Sequence, residues 1–138
     1  MPGVNTILIV DDGPGDRRLL EESLREHAPD FSVYSTQNGE QALSYLESSA
    51  GRVALVFLDL NMPGIDGRDV LNHIKQNESM AHIPVVVLTT SEDPQDIKSC
   101  YQNYANSVMT KPMFLDDLST TIGTVVAYWL RTAKIPGL

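Results

Sequence analysis

Three short runs of wholly apolar residues limit the folds open to this chain more than any other feature of its sequence. They cover residues 7–10, 53–58 and 84–88. A strand with one face in water alternates apolar and polar residues, whereas a strand covered on both faces is apolar throughout. The three runs therefore predict central strands of a parallel sheet that helices cover on both faces.

Segments with apolar residues at helical spacing separate these strands from one another. Examples are Leu20 with Leu24, Ala42 with Leu46, and Val70 with Ile74. Two weaker strands, at 31–35 and 107–110, complete a set of five, and the alternation at 31–35 is typical of a sheet edge. Strands that alternate with helices predict a doubly wound, five-stranded parallel α/β sheet with right-handed crossovers. We expect the strand order 2-1-3-4-5 of the flavodoxin-like class.

Four of the five predicted strands end on residues that can take part in polar chemistry. Asp11 and Asp12 follow the first strand, Asp59 the third, Thr89 ends the fourth, and Lys111 follows the fifth. Parallel strands bring such residues to one edge of the sheet, where open α/β folds bind their ligands. We expect a site at this edge, at the point where the first and third strands adjoin.

The residue types at this edge favour one kind of chemistry. Three carboxylates in one crevice repel one another, so at neutral pH they need a cation, a raised pKa or the ammonium of Lys111. Oxygen ligands that need charge neutralisation predict Mg²⁺, or the similar ion Mn²⁺. A carboxylate beside such an ion suits phosphoryl transfer, with Asp59 as the predicted nucleophile. Lys111 would neutralise the phosphoryl oxygens, and Thr89 would donate a hydrogen bond to the new phosphoryl group.

In this order and spacing, the residues resemble the receiver domain of two-component response regulators. The two acids after the first strand, the run at 59–67, Thr89 and the Lys111-Pro112 pair carry the resemblance, which spans nearly the whole chain. Three further features are Asp-Asp-Gly-Pro-Gly-Asp at 11–16, Leu-Thr-Thr-Ser at 88–91 and Trp-Leu at 129–130. They are similar, more narrowly, to single-domain regulators paired with phytochrome-type histidine kinases.

The resemblance implies a set of roles for these residues. Asp59 would be phosphorylated by a histidine kinase, and Asp12, Asp59 and the backbone carbonyl of Asn61 would bind Mg²⁺. Asp11 would contribute to the metal site through water. The Lys111–Pro112 peptide bond would be cis, as X-Pro bonds can be. We therefore expect residues 1–138 to form a single receiver domain with no output domain, acting as a signalling switch and not as an enzyme.

The chain departs from the family pattern at two positions on or near the fifth strand. Val108 stands where the family usually has an aromatic residue, the partner of the threonine in switching. Tyr104 stands where a glycine is common. Switching through an aromatic side chain at position 108 is therefore in doubt, and Tyr101 or Tyr104 would have to take over that part.

Composition argues against nucleic acids and membranes as partners of this protein and favours a cytoplasmic location. The net charge is −8, and only 10 residues are Lys or Arg, which argues against a nucleic-acid-binding face. No apolar run approaches the roughly 20 residues of a membrane span, so we expect no membrane partner. The single cysteine, Cys100, cannot form an internal disulfide, which fits a cytoplasmic protein.

The last predicted helix, at 115–131, has an apolar face wider than one core contact requires. Its predicted inward stripe consists of Leu115, Leu118, Ile122, Val125 and Trp129. Beside or beyond this stripe lie Val126, Tyr128 and Leu130. Two interpretations are open: a homodimer interface through this helix, or a broad core stripe followed by a loosely packed tail.

Three other functions fit parts of this pattern. A phosphorylation-independent interaction module on the same fold is the alternative, although such a module would be free to lose Asp12 or Lys111. Metal-dependent aspartyl-phosphate phosphatases use a second acid two residues after the nucleophile. This chain has Asn61 at that position, which argues against a phosphatase. A flavin-binding flavodoxin needs a phosphate cradle, and Asp11 with Asp12 has the wrong charge for one.

Overall fold

The computed structural model describes residues 3–138, and in this part of the chain five strands alternate with five α-helices. The strands are β1 (Thr6–Val10), β2 (Ser32–Thr36), β3 (Val53–Leu58), β4 (Val85–Thr89) and β5 (Ser107–Thr110). The helices are α1 (Pro14–His27), α2 (Gly39–Ser49), α3 (Gly67–Gln76), α4 (Pro94–Gln102) and α5 (Leu115–Trp129), and a short 3-10 helix, Ala50–Arg52, precedes β3. None of the helices within residues 3–138 is long and apolar enough to cross a bilayer.

All strand pairs are parallel, and their order across the sheet is β2-β1-β3-β4-β5. The predicted doubly wound fold with the order 2-1-3-4-5 is therefore confirmed. β1, β3 and β4 are buried along their whole length, while β2 and β5 form the partly exposed edges. The register places Val10 opposite Leu58, so the residues that follow these two strands emerge side by side.

The apolar strands divide their side chains between two core layers. Ile7 and Ile9 of β1 pack in the layer beneath α1 and α5, whereas Leu8 and Val10 pack in the layer beneath α2 and α3. Successive side chains of a strand point to opposite faces of the sheet, so a strand covered on both faces must be apolar throughout. These layers hold the central strands, and with them the carboxyl edge of the sheet, in a fixed position.

Polar side chains cap the first turns of α2 and α3. Asn38 caps α2, and its side chain accepts a hydrogen bond from the amide of Gln41. Asp66 caps α3 through a capping box with Asp69. Boundaries differ from the prediction by one or two residues: β2 begins at Ser32, β4 at Val85, and α5 ends at Trp129.

The turn between β3 and α3 keeps the chain close to the end of β3. The amide of Gly67 donates to the carbonyl of Leu60 over 3.0 Å. A Cβ atom at position 67 would overlap the backbone carbonyl oxygen of Asp59, so only glycine fits here without displacing the chain. The first turn of α3 is thereby packed directly against Asp59, the residue that follows β3.

The predicted inward stripe of α5 is partly wrong. Leu118, Ile122 and Val125 are buried as expected. Val126 is also buried, in the same core layer, whereas Leu115 is 48% exposed. The core therefore uses a face of α5 rotated slightly from the predicted one, because α5 packs against α1 as well as against the sheet.

Candidate functional site

Backbone hydrogen bonds extend the sheet one residue beyond its strands and fix the polar residues at its edge. The amide of Asp59 donates to the carbonyl of Val10 over 2.9 Å, and the amide of Asp11 donates to Thr36 over 3.1 Å. On the other side of β4, the amide of Lys111 donates to the carbonyl of Thr89 over 2.8 Å. The backbone at these polar positions is therefore as well ordered by hydrogen bonds as the strands themselves.

Three carboxylates converge at this edge. Asp11, Asp12 and Asp59 each offer one oxygen, and these oxygens lie within 4.8 Å of one another. Asp11 and Asp59 are only 2% and 8% exposed, whereas Asp12 is exposed to solvent. Asn61 lies in the turn that follows, and its amide donates a long hydrogen bond of 3.4 Å to Oδ1 of Asp59. Closely spaced carboxylate oxygens, one of them open to solvent, are a suitable donor set for a hard divalent cation.

Lys111 places its ammonium group among the acids. Its Nζ atom lies 2.8 Å from Oδ2 of Asp11, 3.1 Å from Oδ2 of Asp16 and 3.8 Å from Oδ2 of Asp59. Burial lowers the pKa of Lys111, but the hydrogen bond and charge of Asp11, with smaller contributions from Asp59 and Asp16, outweigh it and raise that pKa above its usual value. Lys111 is therefore a cation at any physiological pH.

The carboxyl group of Asp59 is difficult to ionise in this position. Burial raises its pKa from the usual 3.8 to about 6, although the ammonium of Lys111 acts in the opposite direction. The charges of Asp11 and Asp12 raise the pKa further, and the hydrogen bond from the Asn61 amide lowers it. An additional cation beside these acids would favour the ionised form of Asp59, which is the form able to act as a nucleophile.

Thr89 is buried at the end of β4, and its hydroxyl begins a chain of hydrogen bonds that leads away from the acids. Its Oγ1 accepts from the amide of Ser91 over 3.1 Å, and the Ser91 hydroxyl donates to Oδ2 of Asp96 over 2.6 Å. Oδ1 of Asp96 accepts from Nη2 of Arg68 over 2.8 Å. This network ties the end of β4 to the first turns of α3 and α4.

Val108 and Tyr104, the two positions that depart from the family pattern, lie on or near the edge strand β5. Val108 carries no aromatic ring, but its backbone amide donates to the hydroxyl of Tyr101 over 3.1 Å. Tyr104 adopts a left-handed backbone with a φ of 69°, a conformation that glycine adopts more readily. The expected cis bond before Pro112 is not found, because no peptide bond within residues 3–138 is cis.

Two features of the site were not predicted from the sequence. From the sequence, Asp16 is only the last residue of the Asp-Asp-Gly-Pro-Gly-Asp motif, with no role at the site, yet it contacts Lys111. The network from Ser91 through Asp96 to Arg68 was also missed. Asp16 follows the same strand as Asp11, which was an available signal, but the direction of its side chain depends on how α1 leaves the loop.

Comparison with known proteins defines the class of this chain. Residues 7–123 match the response regulator receiver domain, and the chain belongs to this family. It is 37% identical over 135 residues to the response regulator Rcp1 of Synechocystis, covering 94% of this chain and 92% of the relative. This confirms the family resemblance found in the sequence.

Solved structures agree with this assignment. The phosphorylated cyanobacterial phytochrome response regulator RcpA superimposes with a TM-score of 0.90, at 36% identity and over 96% of this chain and 98% of RcpA. The Mn²⁺-bound form of Rcp1 superimposes with a TM-score of 0.87, at 36% identity and over 96% and 99% of the two chains. The narrower similarity to regulators of phytochrome signalling is thus also confirmed.

Replacing Asp59 with asparagine should stabilise the metal-free protein at neutral pH. A carboxyl group whose pKa is about 6 when folded and near 3.8 when unfolded binds more protons in the folded state between these values. Stability of the wild type therefore falls as the pH rises through this window. We expect Asp59→Asn to raise the free energy of unfolding by about 1–3 kcal/mol above the window, and by progressively less towards its lower end.

Urea unfolding in the presence of EDTA, at a series of pH values, measures this difference between the two proteins. Asp30→Asn is a matched control, because Asp30 is exposed in the loop before β2, away from the carboxyl edge. An Asp59→Asn gain that does not change with pH would contradict the account.

Proposed function

We propose that this response regulator accepts a phosphoryl group on Asp59 from the phosphohistidine of a histidine kinase. A carboxylate oxygen of Asp59 attacks the phosphorus, and an O–P bond forms as the N–P bond to the histidine breaks. The kinase histidine then leaves as a neutral imidazole, having carried a proton on its other ring nitrogen. The observation that supports this role most directly is the placement of Asp59, which is nearly buried between a lysine and two further acids.

We propose Mg²⁺, or Mn²⁺, as the cofactor of this transfer. Asp12 and Asp59 would bind the ion directly with the backbone carbonyl of Asn61, and Asp11 would act through water. The close approach of the three carboxylate oxygens supports this set, since four negative groups around one lysine leave the site short of positive charge. When bound, the ion supplies charge neutralisation for the carboxylates and for the incoming phosphoryl group.

Lys111 and Thr89 would stabilise the phosphoryl group once it is in place. The ammonium of Lys111 is 3.8 Å from Oδ2 of Asp59, so a small movement brings it within reach of a phosphoryl oxygen. The hydroxyl of Thr89 would donate to another oxygen and alter its contact with the Ser91 amide. Because Ser91 is joined to Asp96 and Arg68, that change would reach the first turns of α3 and α4 without an aromatic side chain at position 108.

The kinase that fits best is a phytochrome-type histidine kinase. The support is the similarity of this chain to RcpA, described as a cyanobacterial phytochrome response regulator. The output would be protein binding or onward phosphotransfer, without catalysis on a separate substrate. The acidic chain, with a net charge of −8, suits a protein partner better than nucleic acid. We propose that the protein acts in the cytoplasm, which is consistent with the free thiol of the buried Cys100.

Incubation with phosphoramidate and Mg²⁺ tests the phosphoacceptor role, with intact mass as the measurement. The wild type should gain one phosphoryl group, because Asp59 displaces ammonia from the donor as it would displace histidine from the kinase. Asp59→Asn should gain none, and EDTA should abolish the gain in the wild type. Asp30→Asn should react like the wild type. A wild type that takes up neither phosphate nor beryllofluoride would favour the phosphorylation-independent interaction module.

We also propose a homodimer that uses α5. Tyr128 is 54% exposed and Leu115 is half exposed on this helix, and the preceding residues Met113 and Phe114 are exposed as well. Exposed apolar side chains in one segment are typical of an interaction surface. The burial of Val126 removes one residue from the interface considered in the sequence, but Tyr128 stays available to it.

Light scattering at high micromolar concentration tests the dimer. The wild type should have the mass of two chains, and Tyr128→Ser should shift the equilibrium towards the monomer, because it removes a large apolar contact. The same substitution at Tyr34, an exposed tyrosine on the edge strand β2, should leave the dimer intact. A wild type that is monomeric at this concentration would rule the proposal out.

A further inference from the structure

Asp16 holds Lys111 more closely than Asp59 does. The Nζ atom of Lys111 lies 3.1 Å from Oδ2 of Asp16, compared with 3.8 Å from Oδ2 of Asp59. Asp16 lies in the first turn of α1 and has no place among the predicted metal ligands or the nucleophile. Neither metal binding nor nucleophilic attack therefore explains why Asp16 contacts Lys111.

The loop between β1 and α1 is built to bring Asp16 to this position. The amide of Gly13 donates to Oδ1 of Asp11 over 2.9 Å, and Nη1 of Arg17 donates to the carbonyl of Asp11 over 2.8 Å. A Cβ atom at position 13 would lie only 3.2 Å from Oδ2 of Asp16, which is tight. The glycine leaves the space that the Asp16 carboxylate occupies beside the ammonium.

The ammonium of Lys111 has few other places to go. The side chains of Lys111 and Asp16 also border a cavity of about 280 Å³ whose other walls are mostly apolar. The apolar walls include Leu19, Leu20, Leu88, Met113, Phe114 and Leu118. An ammonium that moved in among these apolar walls would give up its contacts with Asp11 and Asp59, so exchange between carboxylates is the favoured movement of Lys111. Asp16 and Asp59 are thus alternative partners of the same ammonium group, that of Lys111.

We infer that Asp16 is a positioning residue that competes with the Asp59 phosphoryl group for Lys111. In the unphosphorylated protein, Asp11 and Asp16 hold the ammonium away from Asp59. When the phosphoryl group arrives, Lys111 must leave Asp16 to reach a phosphoryl oxygen, and the attraction of Asp16 opposes that movement. Asp16 therefore sets how readily Lys111 joins the transfer. This inference rests on the proposed phosphorylation of Asp59.

The test is the rate of phosphorylation by phosphoramidate at saturating Mg²⁺ for the Asp16→Asn variant. Its side chain keeps the shape of aspartate but not the charge, so Lys111 should reach the phosphoryl group more easily. Because the Asp16 side chain is 51% exposed, the pair is partly screened, and we expect an increase of about two- to fivefold. The affinity for beryllofluoride should rise in parallel, and Asp16→Glu should restore a slower rate.

A double-mutant cycle separates positioning from a general effect of charge. If Asp16 acts through Lys111, Asp16→Asn should have no effect in a Lys111→Met background. Glu22→Gln removes one charge from an exposed position of the same helix, and it should leave the wild-type rate unchanged. An Asp16→Asn increase that persists in the Lys111→Met background, or no increase in the wild type, would overturn the inference.

These outcomes also separate the inference from the function on which it rests. If the wild type is not phosphorylated at all, the proposed function fails. If the wild type is phosphorylated and Asp16→Asn reacts at the same rate or more slowly, the inference about Asp16 fails while the phosphoacceptor role stands.

Discussion

The ammonium group of Lys111 is shared by three carboxylates, and the electrostatics of the whole site depend on this shortage of positive charge. Asp11 and Asp16 hold it most closely, and Asp59 lies somewhat farther away. With Asp12 beside them, one cation faces four acids. Burial compounds the shortage and raises the pKa of Asp59 to about 6. A site of this kind gains from a divalent ion, and a new phosphoryl group changes the balance of charge again.

The fold keeps the carboxylates of the site close together despite their repulsion, because the backbone gives them little freedom to move apart. Asp11 and Asp59 follow adjacent strands, and their own amides are hydrogen-bonded to carbonyls of the neighbouring strands, at Thr36 and Val10. β1 and β3 are buried on both faces, so moving them would expose two core layers. The hydrophobic core thus holds charges together that would separate in a flexible loop. In the proposed transfer, the side chains of Lys111 and Thr89 are the ones expected to move.

Much of this arrangement could be predicted from the sequence, because it follows from strand periodicity and from what ends each strand. The apolar runs predicted the central strands, and the strand ends predicted Asp11, Asp59, Thr89 and Lys111. Backbone geometry alone brings such positions to one edge. The contact of Asp16 with Lys111 could not be predicted, since it depends on the exit angle of α1 and on the space beside Gly13. The same is true of α5, where a small rotation buries Val126 and exposes Leu115.

The proposed function depends above all on Asp59 being the residue that carries the phosphoryl group. Borohydride reduces an aspartyl phosphate to homoserine, so treatment of the phosphorylated protein followed by peptide mass spectrometry locates the modified residue. We expect homoserine at position 59 after incubation with phosphoramidate and Mg²⁺, and nowhere else in the chain. Homoserine at Asp11, Asp12 or Asp16, or its absence from a protein that has gained a phosphoryl group, would contradict it.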